Sequence, residues 1–147
     1  MNANYRKLGV AVGINTVIMF LLTYALIDSL AHFYPNVNRA YMAVLMSAPM
    51  VIVMLAVMQS MYPNRRLNTA LFVTFGVVFL VVFVMARTQT GVGDSQFLRS
   101  MIPHHSSAIV MCERSSISDQ DIIELCGEIV ETQKREIAEM NELLARG

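Results

Sequence analysis

The sequence predicts an all-α protein, three transmembrane helices followed by a two-helix hairpin, and three observations carry that prediction. Of 147 residues, 55% are hydrophobic and 15% charged, more apolar sequence than one small soluble core can bury. The excess lies before residue 88, in apolar runs at 8–30, 40–61 and 67–86, each near the ~20 residues a helix needs to cross ~30 Å of hydrocarbon. Beyond residue 88 the chain turns polar, with apolar residues recurring at helical spacing.

The first run ends in Ser29-Leu30-Ala31, which resembles a small-residue cleavage site. Its apolar stretch is longer than the 7–15 residues of a secretory signal, so it reads as a retained anchor. Asp28, near its end, sits where a membrane edge is expected. The segment from Ala31 to Arg39, with Pro35, Asn36 and Asn38, forms a tight loop, as does Tyr62-Pro63-Asn64-Arg65-Arg66. Tyr34, Tyr41 and Tyr62 mark these boundaries, where a ring with a polar tip is at home. In the second run Met42, Met46, Met50, Met54 and Met58 recur every four residues, with Met61 after them and Pro49 as a kink. That ridge reads as a flexible packing surface, or as a thioether path for a soft cation.

Charge divides the chain. Residues 1–87 carry Arg6, Lys7, Arg39, Arg65, Arg66 and Arg87 against Asp28 alone, whereas residues 88–147 carry five basic side chains against ten acidic ones. The positive-inside tendency places the N-terminus in the cytoplasm and residues 88–147 outside the cytoplasmic membrane. No nucleic acid partner is expected.

Residues 88–95 form a flexible connector, and Asp94 or Ser95 caps a helix over about 96–114. Ser115-Ser116-Ile117-Ser118 makes a turn, and Ser118 with Asp121 resembles a capping box for a second helix over about 119–145. At ~100° per residue, Phe97, Met101, His104, His105, Ala108, Met111 and Cys112 share one face of the first helix. Ile122, Cys126, Ile129, Val130, Gln133, Ile137, Met140 and Leu144 share a face of the second, with Glu136 at its edge. Counted from the turn at ~1.5 Å per residue, Met101 lies level with Gln133, and His104 and His105 with Ile129 and Val130. A site of Met101 with His104 or His105, completed by Gln133, Glu136 or Met140, follows, with Met111 and Cys112 nearer the turn.

Imidazole and thioether are soft ligands that favour Cu(I), Ag(I) or, with histidine dominant, Cu(II). The spacing of the two cysteines does not suit structural zinc, and no Glu-x-x-His repeat offers a di-iron site. Counting heights puts Cys112 and Cys126 beyond disulfide reach within one hairpin, which leaves packing, copper thiolates or a cross-chain disulfide. Histidine and methionine on an inner helix face also serve simply as packing. Pro103 removes one helical hydrogen bond and frees the carbonyl of Arg99, opening a pocket or bending the chain.

Met-Ile-Pro-His-His-x-x-Ala-Ile-x-Met at 101–111 and Gln-x-x-Glu-Ile-x-x-Met at 133–140 resemble the two signatures of the domain of unknown function 305 family. The resemblance spans about 50 residues, from Ser95 to Leu144. It implies a ferritin-like helical fold and, because the family includes copper-binding periplasmic proteins, a copper-ligand role for Met101, His104, His105, Met111 and Met140. Gln133 and Glu136 match the second signature without an assigned task. Many members repeat the Met-x-x-His-His unit to make four helices, whereas this chain has one unit. A lone hairpin buries too little surface to be stable, so two chains are expected to pair as a homodimeric four-helix bundle, or the hairpin packs on another protein.

Two functions remain. One is a membrane-anchored protein that captures or buffers copper or silver and hands it to a copper-handling partner. The other is a small interaction subunit whose histidines and methionines are bundle core. Neither is an enzyme.

Overall fold

The computed structural model describes residues 3–146. Five α-helices follow in order: α1 (Ala3–Leu22), α2 (Val37–Val57), α3 (Arg65–Arg87), α4 (Asp94–Arg114) and α5 (Gln120–Arg146). Short 3-10 turns lie at Leu30–His32 and Gln59–Met61, and no strand occurs among the described residues. The chain divides into two compact units, one of Met1–Thr23 with Asn38–Thr90, the other of Tyr24–Val37 with Gly91–Gly147.

In the first unit α1, α2 and α3 are each long and apolar enough to cross a membrane. The α3 helix buries none of its side chains, and Val73, Val77, Leu80, Val81 and Val84 stand outward, a surface suited to lipid tails rather than water. Its N-terminus is capped by Asn64, whose side chain accepts from the Leu67 N–H. Tyr5 and Leu8 of α1 pack with Val51 and Leu55 of α2 and with Tyr62. The Tyr5 hydroxyl donates to Asn68 Oδ1 at 2.8 Å and accepts from the Asn64 N–H at 3.1 Å, so its polar tip is satisfied.

The buried stripe of α2 runs Ala43, Ser47, Val51 and Leu55, four residues apart, and Asn15 of α1 donates to Ser47 Oγ at 3.1 Å. Small residues at such a seam let helices approach closely. The methionine ridge winds away from this stripe. Met42, Met46 and Met61 are exposed, while Met54 and Met58 pack on the Tyr5 cluster, so no single buried face carries them all.

The first helix ends earlier than its apolar run. Residues beyond Leu22 leave the helix because Tyr24 finds partners elsewhere: it is buried, its ring packs at a tilt on Phe33 with centroids 4.4 Å apart, and it donates to the Tyr34 carbonyl at 2.7 Å. The second helix likewise stops at Val57 rather than 61, giving way to the 3-10 turn. After α3, Gln89 and Gly91 both have positive φ, so residues 88–95 contain a defined turn.

The second unit is the α4–α5 hairpin with a strap, Tyr24–Val37, laid against it. Ile102 and Ile109 of α4 are wholly buried with Ile137 and Met140 of α5, flanked by Leu98, Met101, Val130 and Leu144. The α4 helix begins at Asp94, two residues before expectation, with Gly93 at the cap and no side-chain cap bond. Asp119 rather than Ser118 starts α5: its Oδ1 accepts from the N–H groups of Asp121 (3.0 Å) and Ile122 (3.2 Å).

Pro103 gives the strap its anchor. A proline inside a helix leaves the carbonyl four residues earlier without its donor. Here the Arg99 carbonyl accepts instead from Asn36 Nδ2 at 3.1 Å, and the same amide group donates to the Tyr34 carbonyl at 2.8 Å. Ser106, fully buried, accepts the Asp28 N–H at 2.7 Å and pairs with His32 Nδ1 at 2.9 Å. The Tyr34 hydroxyl donates to Asn141 Oδ1 at 2.8 Å, and Val37 N–H to Gln96 Oε1 at 3.0 Å.

Replacing Asn36 by Ala leaves the partly buried Arg99 carbonyl without its donor, which costs about 1 kcal/mol. The thermal midpoint of the full chain in detergent is expected to fall accordingly, and an unchanged midpoint would contradict the anchoring role.

Candidate metal centre

The disulfide sets the hairpin's register. Cys112 and Cys126 are bonded to each other within one chain, their Cα atoms 5.3 Å apart. This corrects the expectation that height forbids such a bond. That count starts both helices at one level, but Ser115 is extended, with ψ 143°, and the connector carries the start of α5 past the end of α4. Two levels that looked mismatched therefore coincide.

The same displacement, roughly one helical turn, changes what faces the histidines. His105 meets Glu136 rather than Ile129 or Val130: Nδ1 lies 3.0 Å from Glu136 Oε2. The ring N–H is not aligned on that oxygen, so Nδ1, although buried and in ion-pair range, lacks a well-directed hydrogen bond. Gln133 Nε2 reaches the same Oε2 at 3.4 Å. Gln133 and Glu136 thus stand behind His105.

Burial of the His105 ring pushes its pKa below the ordinary 6.5; the Glu136 carboxylate pulls it partly back up, and neighbouring His104 pushes it down again. The ring is consequently neutral at neutral pH, the state in which imidazole binds a metal.

The remaining candidates separate into two environments. His104 is exposed, its ring centroid 6.0 Å from that of His105 at an interplanar angle of 61°. Met111 is 61% exposed and Phe97 51% exposed. Phe97, His104 and Met111, seven residues apart, form one outward stripe on α4. Met101, by contrast, packs partly buried against the Ile102 cluster, and Met140 lies inside it. The expected inward face is therefore turned. Its centre is Ile102, His105, Ile109 and Cys112, because branched aliphatics claim the seam and the exposed donors fall beside it.

The donors are of the kind that suits a soft cation. His104, His105 and Met111 offer two imidazoles and a thioether on the edge of α4. Both cysteines are bonded to each other, and among the described residues no three His, Cys, Asp or Glu side chains converge.

His32 and Ser106 were missed by reading the sequence. His32 is the only histidine outside the His104-His105 pair, and its pairing with Ser106 depends on a 74-residue separation that no local pattern announces.

With its folded pKa lowered, His105 binds a proton more weakly in the native chain than in the unfolded one. Its contribution to stability is present above pH ~6.5 and is lost as pH falls below that toward the folded value. Glu136→Gln removes the opposing pull and is expected to lower the His105 pKa further, read from an NMR titration of the ring. A raised or unmoved midpoint would refute the pairing.

The family described as a domain of unknown function (DUF305) matches residues 84–144. An uncharacterized protein of Acanthamoeba polyphaga mimivirus is 34% identical over 111 residues, which cover 74% of this chain and 71% of the viral protein. No solved structure matches the chain. The matched segment holds all of α4 and α5 as far as Leu144, including both signatures, and the chain belongs to the domain of unknown function 305 family.

Proposed function

We propose that this chain is a membrane-anchored, non-catalytic metal-binding protein that captures or buffers copper, as Cu(I) or Cu(II), or silver. The ligands are His104, His105 and Met111, and a second copy completes the set. Two hairpins pair through the Phe97, His104 and Met111 stripe into a ferritin-like four-helix bundle, and a copper-handling partner protein receives the metal.

The supporting observation is the contrast between His105 and its neighbours. His105 Nδ1 lies 3.0 Å from a Glu136 carboxylate oxygen, the side on which many metal-binding histidines face a carboxylate while the second nitrogen is the ligand. His104 and Met111 are exposed beside it, where packing within one hairpin gives no reason for them. Glu136 and Gln133 act as positioning groups, while Met101 and Met140 pack the hairpin core.

Three further features support the placement. The three apolar helices suit a bilayer anchor. The basic residues of the first 87 favour a cytoplasmic N-terminus and an extracytoplasmic hairpin. A disulfide in the hairpin is at home in an oxidising space. The rival reading, an interaction subunit, draws on the same exposed apolar stripe, with Ile122 and Leu125 of α5 also uncovered.

The full chain is the right material for the test, because the strap belongs to the hairpin's unit. In detergent, the wild type is expected to draw Cu(I) from a competing chelator and His104→Ala/His105→Ala to lose that ability; equal binding by both favours the interaction subunit. Glu136→Gln should weaken binding on the order of 10–100-fold. Affinity should fall with decreasing pH through the imidazole range, with His105 retaining ligand character below pH ~6.5. A flat profile from about pH 5 to 8 would leave methionine as the only ligand type.

A further inference from the structure

We propose that Cys112 and Cys126 form a second soft-metal site, closed as the disulfide and opened by a dithiol reductant into a two-thiolate clamp for one Cu(I) or Ag(I). It uses residues distinct from the His104 and His105 ligand set and stands independently of it.

The pair sits in an accessible place. Both cysteines line an open groove of about 330 Å³ at the turn end of the hairpin, with Ser115, Ile117 and Ile123 among its walls. Both are partly exposed, unlike structural disulfides sealed in a core. Gly127, the residue after Cys126, lines the same groove, and a Cβ placed there would meet nothing within 4 Å. Glycine inside a helix is destabilising by roughly 0.5–1 kcal/mol relative to alanine, and here no packing contact requires it. Without a side chain, Gly127 leaves its part of the groove wall open beside the cysteine pair.

Thiol–disulfide exchange needs access to the sulfur. A thiolate of the reductant attacks Cys126 Sγ, the bond to Cys112 breaks, and Cys112 leaves as a thiolate. The reductant's second thiolate then attacks its own sulfur in the mixed disulfide, releasing Cys126 and leaving the reductant oxidised by two electrons. Any protons held by the freed thiols pass to solvent as metal binds.

The ligand count selects the ion. Zinc wants four ligands, and no third His, Cys, Asp or Glu converges with the pair among the described residues. Glu113, on the groove wall, is engaged with Lys134 at 2.8 Å. Two thiolates alone suit a soft monovalent cation. With metal–sulfur bonds of roughly 2.3 Å, as for zinc thiolates, the sulfurs must sit ~4–5 Å apart, a span open to side chains whose Cα atoms are 5.3 Å apart.

Silver nitrate in chloride-free buffer is a redox-silent probe for the full chain in detergent. Reduction with dithiothreitol, followed by its removal under argon, is expected to add one Ag(I) per chain, with a new sulfur-to-metal ultraviolet band. The gain should persist in His104→Ala/His105→Ala and vanish in Cys112→Ser/Cys126→Ser. Reduction of the wild type without any gain overturns the proposal whether or not the serine variant folds. Gly127→Ala should keep or raise helix content yet slow reduction by a protein dithiol several-fold; an unchanged rate would overturn the open-approach argument.

Discussion

Everything chemical in the hairpin follows from the level at which α5 lies against α4. The Ile102, Ile109, Ile137 and Met140 core supplies attraction along the seam but tolerates sliding, since one aliphatic layer replaces another a turn away. A covalent bond between Cys112 and Cys126 does not slide. It pairs one rung of the ladder, and the helical rise then sets every other rung, including the one that puts a carboxylate against His105. Moved by a turn, the same sequence would bury that imidazole against aliphatic side chains.

The strap adds a second constraint of a different kind. A helix interrupted by proline has a carbonyl to satisfy, and Asn36 satisfies it from a segment that precedes α4 by more than fifty residues. Ser106 does the converse, lending a buried hydroxyl to the strap's own backbone and to His32. Each side satisfies polar groups of the other. A polar interface of that kind specifies one docking position more sharply than greasy contact does, because a misplaced strap leaves several groups unpaired.

How much of this was legible in the sequence depended on the range of the interaction. The three apolar helices and the amphipathic hairpin were readable because periodicity and run length are local properties. The face of α5 was read nearly correctly, since Ile137 and Met140 dominate it, but that of α4 was centred on the donors instead of on Ile102 and Ile109. Caps slipped by a residue or two where Ser and Asp compete, as at Ser118 and Asp119. The disulfide was misjudged because the path of a five-residue connector is not written in its composition. Pro103 was recognised as exposing the Arg99 carbonyl, yet the identity of its partner lay outside any window a pattern can span.

The interleaved order of the two units also bears on biosynthesis. Tyr24–Val37 leaves the ribosome long before the helix it will cover. At roughly 5–20 residues per second, several seconds separate the two. During that interval α2 and α3 are made, while Asn36, Tyr34 and the backbone of Asp28 have none of their native acceptors or donors on α4 and α5. The hairpin thus matures after the three apolar helices, and a nascent chain stalled after α3 would carry those helices with the covering segment still waiting for something to cover.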